Sequence, residues 1–193
     1  MVGAVSNFQT YLDKHCELLN LIRDFESDVL SAAQCVASSL SKNGKLLLVG
    51  NGGSAADCQH IAAEFVGKLV HDRKPLAAIA LTVDSSALTC ISNDYGYPSV
   101  FARQLEGLGN DGDVLLMLST SGNSSNIVNC IDVARSKNIR TISFLGNDGG
   151  ALHNKCDYEF TVPSDFTAHI QEMHILLGHI LCFEVERLLG LSK

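Results

Sequence analysis

Apolar positions along the chain change period several times, and the changes mark out its elements. Between residues 8 and 24, Leu12, Cys16, Leu19 and Ile22 recur at three- and four-residue intervals, the stripe of an amphipathic helix. A second helix is predicted over 26–40, stopping before Asn43-Gly44, a C-cap and turn signal. Both stripes need a partner surface, on the same domain or on another subunit. At Lys45 the helical period stops. Lys45-Leu-Leu-Leu-Val-Gly50 is a short continuous apolar run, as expected of a strand buried on both faces. Helical spacing returns over 55–69, and the alternation then repeats. Further strands are predicted over 76–81, 113–118, 140–145 and 158–162, and further helices over 85–93, 99–108, 124–136 and 167–189.

Five strands alternating with helices predict an α/β fold, an open parallel sheet covered on both faces. In such sheets ligands sit beyond the C-terminal ends of the strands, where the strand order reverses. The loops after the first and third strands are therefore the candidate site. With no linker and no internal repeat, residues 1–193 read as one domain with 1–42 as an N-terminal helical extension.

Composition narrows the function. Hydrophobic residues make up 46% and charged residues 18%, a globular balance, and the formal charge is −7. An acidic chain is poorly suited to non-specific nucleic-acid binding, which needs Lys and Arg to displace counterions. It can still bind an anion, because backbone N–H groups and helix dipoles hold phosphate without net positive charge. The seven cysteines (Cys16, Cys35, Cys58, Cys90, Cys130, Cys156 and Cys182) are scattered and form no C-x-x-C pair, the pattern of buried, reduced thiols in a cytoplasmic protein. The first residues, 1–8, show no basic segment followed by an apolar run, so no signal peptide is expected. No apolar stretch reaches the length of a membrane span.

Both candidate loops have the chemistry of a phosphate site. The first is Gly50-Asn-Gly-Gly-Ser54, where glycines let backbone approach a ligand and Ser54 can cap the next helix and offer a hydroxyl. It also reads as a plain strand-to-helix turn, or as the G-x-G-x-x-A dinucleotide fingerprint through Gly50, Gly52 and Ala55. The acidic partner that fingerprint requires is out of place, since Asp84 lies too far along. The second loop is Ser119-Thr-Ser-Gly-Asn-Ser-Ser125, in which five of seven residues carry a hydroxyl. Hydroxyls beside the open N–H groups of a helix start make a neutral phosphate cradle. A helix cap explains one hydroxyl, not five. The P-loop pattern is absent.

A second group of residues is suited to metal or proton chemistry. His60 and Glu64 are four apart and share a helix face. The last helix carries Gln171, Glu172, His174 and His179 in an apolar setting, where core histidines bonded to backbone carbonyls are the plain alternative. His60, Glu64, Gln171 and His179 together could form a mixed N/O site for a divalent cation, with Zn²⁺ the expected ion. Gln171 and His179, however, are separated by about 12 Å of helix. Either the two side chains lean toward each other or the site is shared between subunits.

On these residues the chain resembles the SIS (sugar isomerase) domain, and within it the phosphoheptose isomerases. The resemblance rests on Gly50-Asn-Gly-Gly-Ser54, His60-Ile-Ala-Ala-Glu64, Ser92-Asn-Asp-Tyr-Gly-Tyr97, Leu118-Ser-Thr-Ser-Gly-Asn-Ser124, Asp148-Gly-Gly150 and Ile170-Gln-Glu-Met-His174 followed by His179, and it covers nearly the whole chain. It implies a flavodoxin-like three-layer sandwich with a five-stranded parallel sheet, and a cytoplasmic homotetramer with active sites between subunits. It implies conversion of sedoheptulose 7-phosphate to D-glycero-D-manno-heptose 7-phosphate through an enediol, for bacterial surface heptose. Substrate binding is implied for Asn51, Gly52, Gly53, Ser54, Glu64, Asn93, Asp94, Ser119, Thr120, Ser121, Ser124 and Gln171. One zinc ion per subunit is implied on His60, Glu64, Gln171 and His179, with Glu64 and His179 as the acid–base pair. The chain departs from the family pattern at Lys68 and His169, where relatives often carry Arg. Lys keeps the charge but loses the bidentate fork. Some relatives are regulators that bind the bacterial replication initiator. They lack the counterparts of Glu64 and His179, both of which are present here.

Overall fold

The structure, a computed structural model, describes residues 7–191. The expected lack of a leader in residues 1–6 and the outermost ends of the 1–193 unit lie outside the described residues.

Helix α1 (Asn7–Leu21) passes through a 3-10 turn (Ile22–Phe25) into α2 (Glu26–Ser41). There follow β1 (Leu46–Gly50), α3 (Gly53–Val66), β2 (Ala78–Ala80), α4 (Ser85–Tyr95), α5 (Val100–Leu108) and β3 (Val114–Ser119). The chain continues with α6 (Ser125–Val128), α7 (Cys130–Ser136), β4 (Arg140–Gly146), β5 (Tyr158–Val162) and α8 (Thr167–Leu188). All pairings are parallel and the strand order is β2-β1-β3-β4-β5. This is the flavodoxin-like order, in which the chain runs outward from β1 to β2 and then crosses back to β3. The crevice between the C-terminal ends of β1 and β3 is thus the switch point, as the alternation of elements implied.

The continuous apolar runs of β1 and β3 have a direct cause. Leu46, Leu48, Leu116 and Leu118 pack under α2, α3 and α8 on one face. Leu47, Val49, Leu115 and Met117 pack under α5, α6 and α7 on the other. Successive side chains point to opposite faces and both faces are covered, so no polar alternation survives. A smaller cluster of Leu18, Ile22, Val162, Ile170 and Met173 ties the first helix to the last.

Four expectations are corrected. Helix α3 begins at Gly53 rather than at 55, because Gly52 adopts φ 56° and ψ −121° and tightens the turn. Gly52 is therefore the N-cap, and Ser54 sits buried in the first turn instead of capping it. The helix expected over 124–136 is two segments, α6 and α7, separated by Asn129. The thiols are all free, but they are not all buried: Cys58, Cys130 and Cys182 are, whereas Cys16 and Cys90 are exposed. As for the two N-terminal stripes, α2 buries Val29, Ala32, Ala33, Val36 and Ala37. In α1, among the described residues, Leu18 alone is buried, and Phe8 and Leu12 stay exposed.

Candidate active site

The serine loop is propped from below. At Gly122 φ is 62°, and a Cβ there would lie 1.8 Å from the carbonyl oxygen of Gly149, so only glycine fits. The Asp148-Gly-Gly turn lies directly against the loop: Asn123 Oδ1 accepts from Ala151 N at 2.9 Å and the Leu152 amide donates to the Gly122 carbonyl at 3.1 Å. Within the loop, Ser119 Oγ accepts from Gly122 N at 3.1 Å and Ser121 Oγ from Asn123 N at 3.2 Å. Ser124 occupies the N-cap position of α6 with no side-chain capping bond. Ser119 is buried, Thr120 and Ser124 are half-buried and Ser121 is exposed.

The glycine loop is tied to the serine loop by a pair of amides. Asn51 Nδ2 donates to Asn126 Oδ1 at 3.0 Å, and Asn126 Nδ2 donates to Asn51 Oδ1 at 2.9 Å. Tyr97 Oη donates to the same Asn51 oxygen at 2.8 Å. Asn126 and Tyr97 thus fix the orientation of Asn51, and neither figures among the expected binding residues. Asn93 and Asp94 stand exposed near the C-terminal end of α4, bonded to each other at 2.8 Å.

Helices α3 and α8 start at the same edge of the sheet and run side by side. Gln171 lies against Gly53, where a Cβ would come within 2.4 Å of Gln171 Nε2. Further along, a Cβ on Gly178 would come within 2.5 Å of Ile61 Cδ1. The missing side chain at Gly178 lets the helices approach where their neighbouring residues, His60 and His179, meet. Their Nε2 atoms are 3.1 Å apart, and His60 Nε2 is 3.2 Å from Glu64 Oε1. One potential ligand atom from each of His60, Glu64 and His179 lies within 4.8 Å of the others. Two imidazole nitrogens at this distance either share a proton or face a common cation. The structure brings these three expected ligands together. It sets Gln171 at the level of Gly53, about 10 Å along α3 from His60.

Asp57 stands one turn before His60 on the same helix. Its Oδ2 is buried without a hydrogen-bond partner, and burial raises its pKa above the ordinary carboxylate value while His60 opposes the shift. The i, i+3 spacing to His60 is the signal by which the sequence could have pointed to it. Three other polar residues of α8 face away from this cluster. His174 is fully buried and hydrogen-bonds the Leu145 carbonyl through Nε2 at 2.9 Å, and burial depresses its pKa to about 4. Glu172 accepts from Tyr11 Oη and bonds His15 Nδ1 at 2.9 Å. His169 is buried against the rings of Tyr11 and Phe166. Lys68, the other departure, is exposed.

Fold, loops and cluster define an SIS-domain protein, and the SIS domain family matches residues 10–146. A phosphoheptose isomerase of Nitratiruptor sp. is 52% identical over 154 residues, 80% of this chain and 82% of the relative. The solved phosphoheptose isomerase of Neisseria gonorrhoeae superposes with a TM-score of 0.86 at 39% identity, covering 93% of this chain and 97% of that one. That of Francisella tularensis gives 0.90 at 35% identity, with 93% and 96% covered. The chain belongs to the phosphoheptose isomerase family.

Proposed function

We propose that the chain is an aldose–ketose isomerase that converts sedoheptulose 7-phosphate to D-glycero-D-manno-heptose 7-phosphate, a precursor of bacterial surface heptose. The observation that carries this reading is the meeting of Glu64 and His179 beside His60, on the helix that follows the glycine loop. A regulator that only bound a sugar phosphate would have no use for that pair. The whole chain, with residues 1–42 as a helical extension, is read as one SIS unit.

In this reading the serine loop, Ser119, Thr120, Ser121 and Ser124, holds the phosphate with hydroxyls and backbone N–H groups. Asn51, Gly52, Gly53, Ser54, Asn93, Asp94, Glu64 and Gln171 contact the sugar. One of Glu64 and His179 takes the proton from C1, beside the C2 carbonyl, leaving an enediol. The pair then returns a proton to C2 and shifts the hydroxyl proton between O1 and O2, so the aldose forms with no net gain or loss of atoms. Positioned acid–base groups of this kind contribute about 10²–10⁴-fold. Two imidazoles and one carboxylate fit the three-ligand donor set of a catalytic Zn²⁺, leaving the open position for substrate. A divalent ion held by His60, Glu64 and His179 would supply polarisation of the carbonyl and of the developing oxyanion.

Homotetramer assembly and a cytoplasmic location belong to the same proposal. Seven free thiols suit a reducing compartment, and, among the described residues, no helix is long and apolar enough to cross a membrane. The deciding experiment is turnover of sedoheptulose 7-phosphate by chelator-stripped protein, with and without added zinc. Zinc-restored turnover is expected. No turnover in either condition, from folded protein, would overturn the reading.

A further inference from the structure

The helices that carry His60, Glu64 and His179 are joined beneath that cluster by a charged pair taken almost wholly out of water. Arg73, in the connection from α3 to β2, and Glu186, on α8, have side chains 1% and 2% exposed. Arg73 Nε donates to Glu186 Oε1 at 2.7 Å. Its Nη2 donates to the carbonyl of Glu64 itself at 2.6 Å, and its Nη1 to the carbonyls of Phe65 at 2.7 Å and Gly67 and Lys74 at 3.1 Å. The Glu64 and Phe65 carbonyls belong to the last turn of α3, whose C=O groups have no partner within the helix. A guanidinium there satisfies them and meets the negative end of the helix dipole. Glu186 lies two turns beyond His179 on α8, so one side chain reaches from the backbone of Glu64 to the helix that carries His179.

A buried ion pair is a poor source of stability, because desolvation offsets most of the attraction and apolar replacements are often as stable. It does impose geometry, since a planar guanidinium held to the end of α3 through Nη1 and Nη2 reaches Glu186 through Nε only at one height of α3 against α8. We propose that Arg73 and Glu186 are positioning residues for the reaction: they lock α3 against α8 at the height where His60, Glu64 and His179 converge. The inference rests on the reading of Glu64 and His179 as the acid–base pair.

The test uses Glu186→Gln, which keeps shape and an acceptor oxygen, and Arg73→Lys, which keeps charge but loses the fork. In each, kcat is expected to fall about tenfold or more, in the range seen when groups that orient site ligands are removed. KM for sedoheptulose 7-phosphate should stay within twofold, because the phosphate loops lie on β1 and β3. In the metal-free protein the ring NMR signals of His60 and His179 should move, while those of His153, on the far side of the sheet edge, stay in place. Folded variants with wild-type kcat and unmoved His60 and His179 signals overturn the proposal. Should a single variant fail to fold, the double change Arg73→Met with Glu186→Leu replaces the pair by apolar groups. A folded double variant that keeps full kcat overturns the proposal equally, and one that loses kcat at constant KM supports it. An inactive wild-type protein would remove the functional reading alone, since the NMR comparison decides the positioning role without turnover.

Discussion

Two histidines five residues apart on α8 show how far a side chain's surroundings decide its role. His179 meets His60 at a half-exposed edge. His174 is sealed in the core against Phe144, with its pKa depressed to about 4 from 6.5. The consequence for stability follows from the sign of that shift. Between pH 6.5 and about 4 the unfolded chain binds a proton at this position and the folded chain does not, so stability is present above pH 6.5 and is lost as the pH falls through that window. The full span corresponds to about 3 kcal/mol. Replacing His174 by Gln, which can still donate to Leu145 but cannot take up a proton, should flatten this acid slope, read as urea midpoints at pH 7, 5.5 and 4.5. An unchanged slope would mean that His174 is not the group responsible. The apolar pattern places both histidines in one stretch and only the family resemblance separates them, because the distinction comes from β4 and α3, which are distant in the chain. Asn126, Tyr97 and Arg73 were equally hidden. An Asn just inside a helix, a Tyr before a Pro and an Arg in a loop are ordinary, and they acquire meaning only from Asn51, Glu186 and the open end of α3.

At the level of elements, most of the architecture was legible. Strand positions are recovered to within two residues at either end, because a strand with both faces covered needs an unbroken apolar run. The shifts that escaped have local backbone causes: the left-handed Gly52 that starts α3 early, and the turn at Asn129 that divides α6 from α7. The pairing of α3 with α8, on which the candidate cluster depends, was legible only in part: the sequence grouped their polar residues but left open whether they meet within one chain or between subunits. Gly178 is one of the places where that pairing is closest, against Ile61. Gly178→Val should push Ile61 away and part His60 from His179, at about 1–3 kcal/mol of stability. Turnover should fall much further than a thermal melt alone would suggest. A variant that melts lower yet keeps full kcat would show that the close approach serves packing only.

On the scale of the whole molecule, one chain leaves a good deal of apolar surface uncovered. Leu12 and Leu21 on α1, Leu30 on α2 and Ile180 and Phe183 on α8 are exposed, and a groove of about 400 Å³ lies between these helices. Surface of this kind on a 20.7 kDa chain suits contact with further copies. Light scattering during gel filtration should return four times the chain mass. Leu30→Glu combined with Ile180→Glu should reduce it without loss of helical circular dichroism. A monomeric wild-type protein would exclude the assembly proposed above.

The strand order has a further consequence, for the order in which a ribosome makes this protein. Strand β1 is synthesised early, but one of its two neighbours is β3, and the covering layer on its α2 side is completed by α8, which follows all five strands. A nascent chain long enough to display both loops still lacks the helix bearing Gln171 and His179. Strand β1, which lies between β2 and β3, therefore waits, half-covered, for the turns of α8. Competence for chemistry and completion of the core both wait for α8, and a chain cut before it should be a target for chaperones or proteases and have no partial activity.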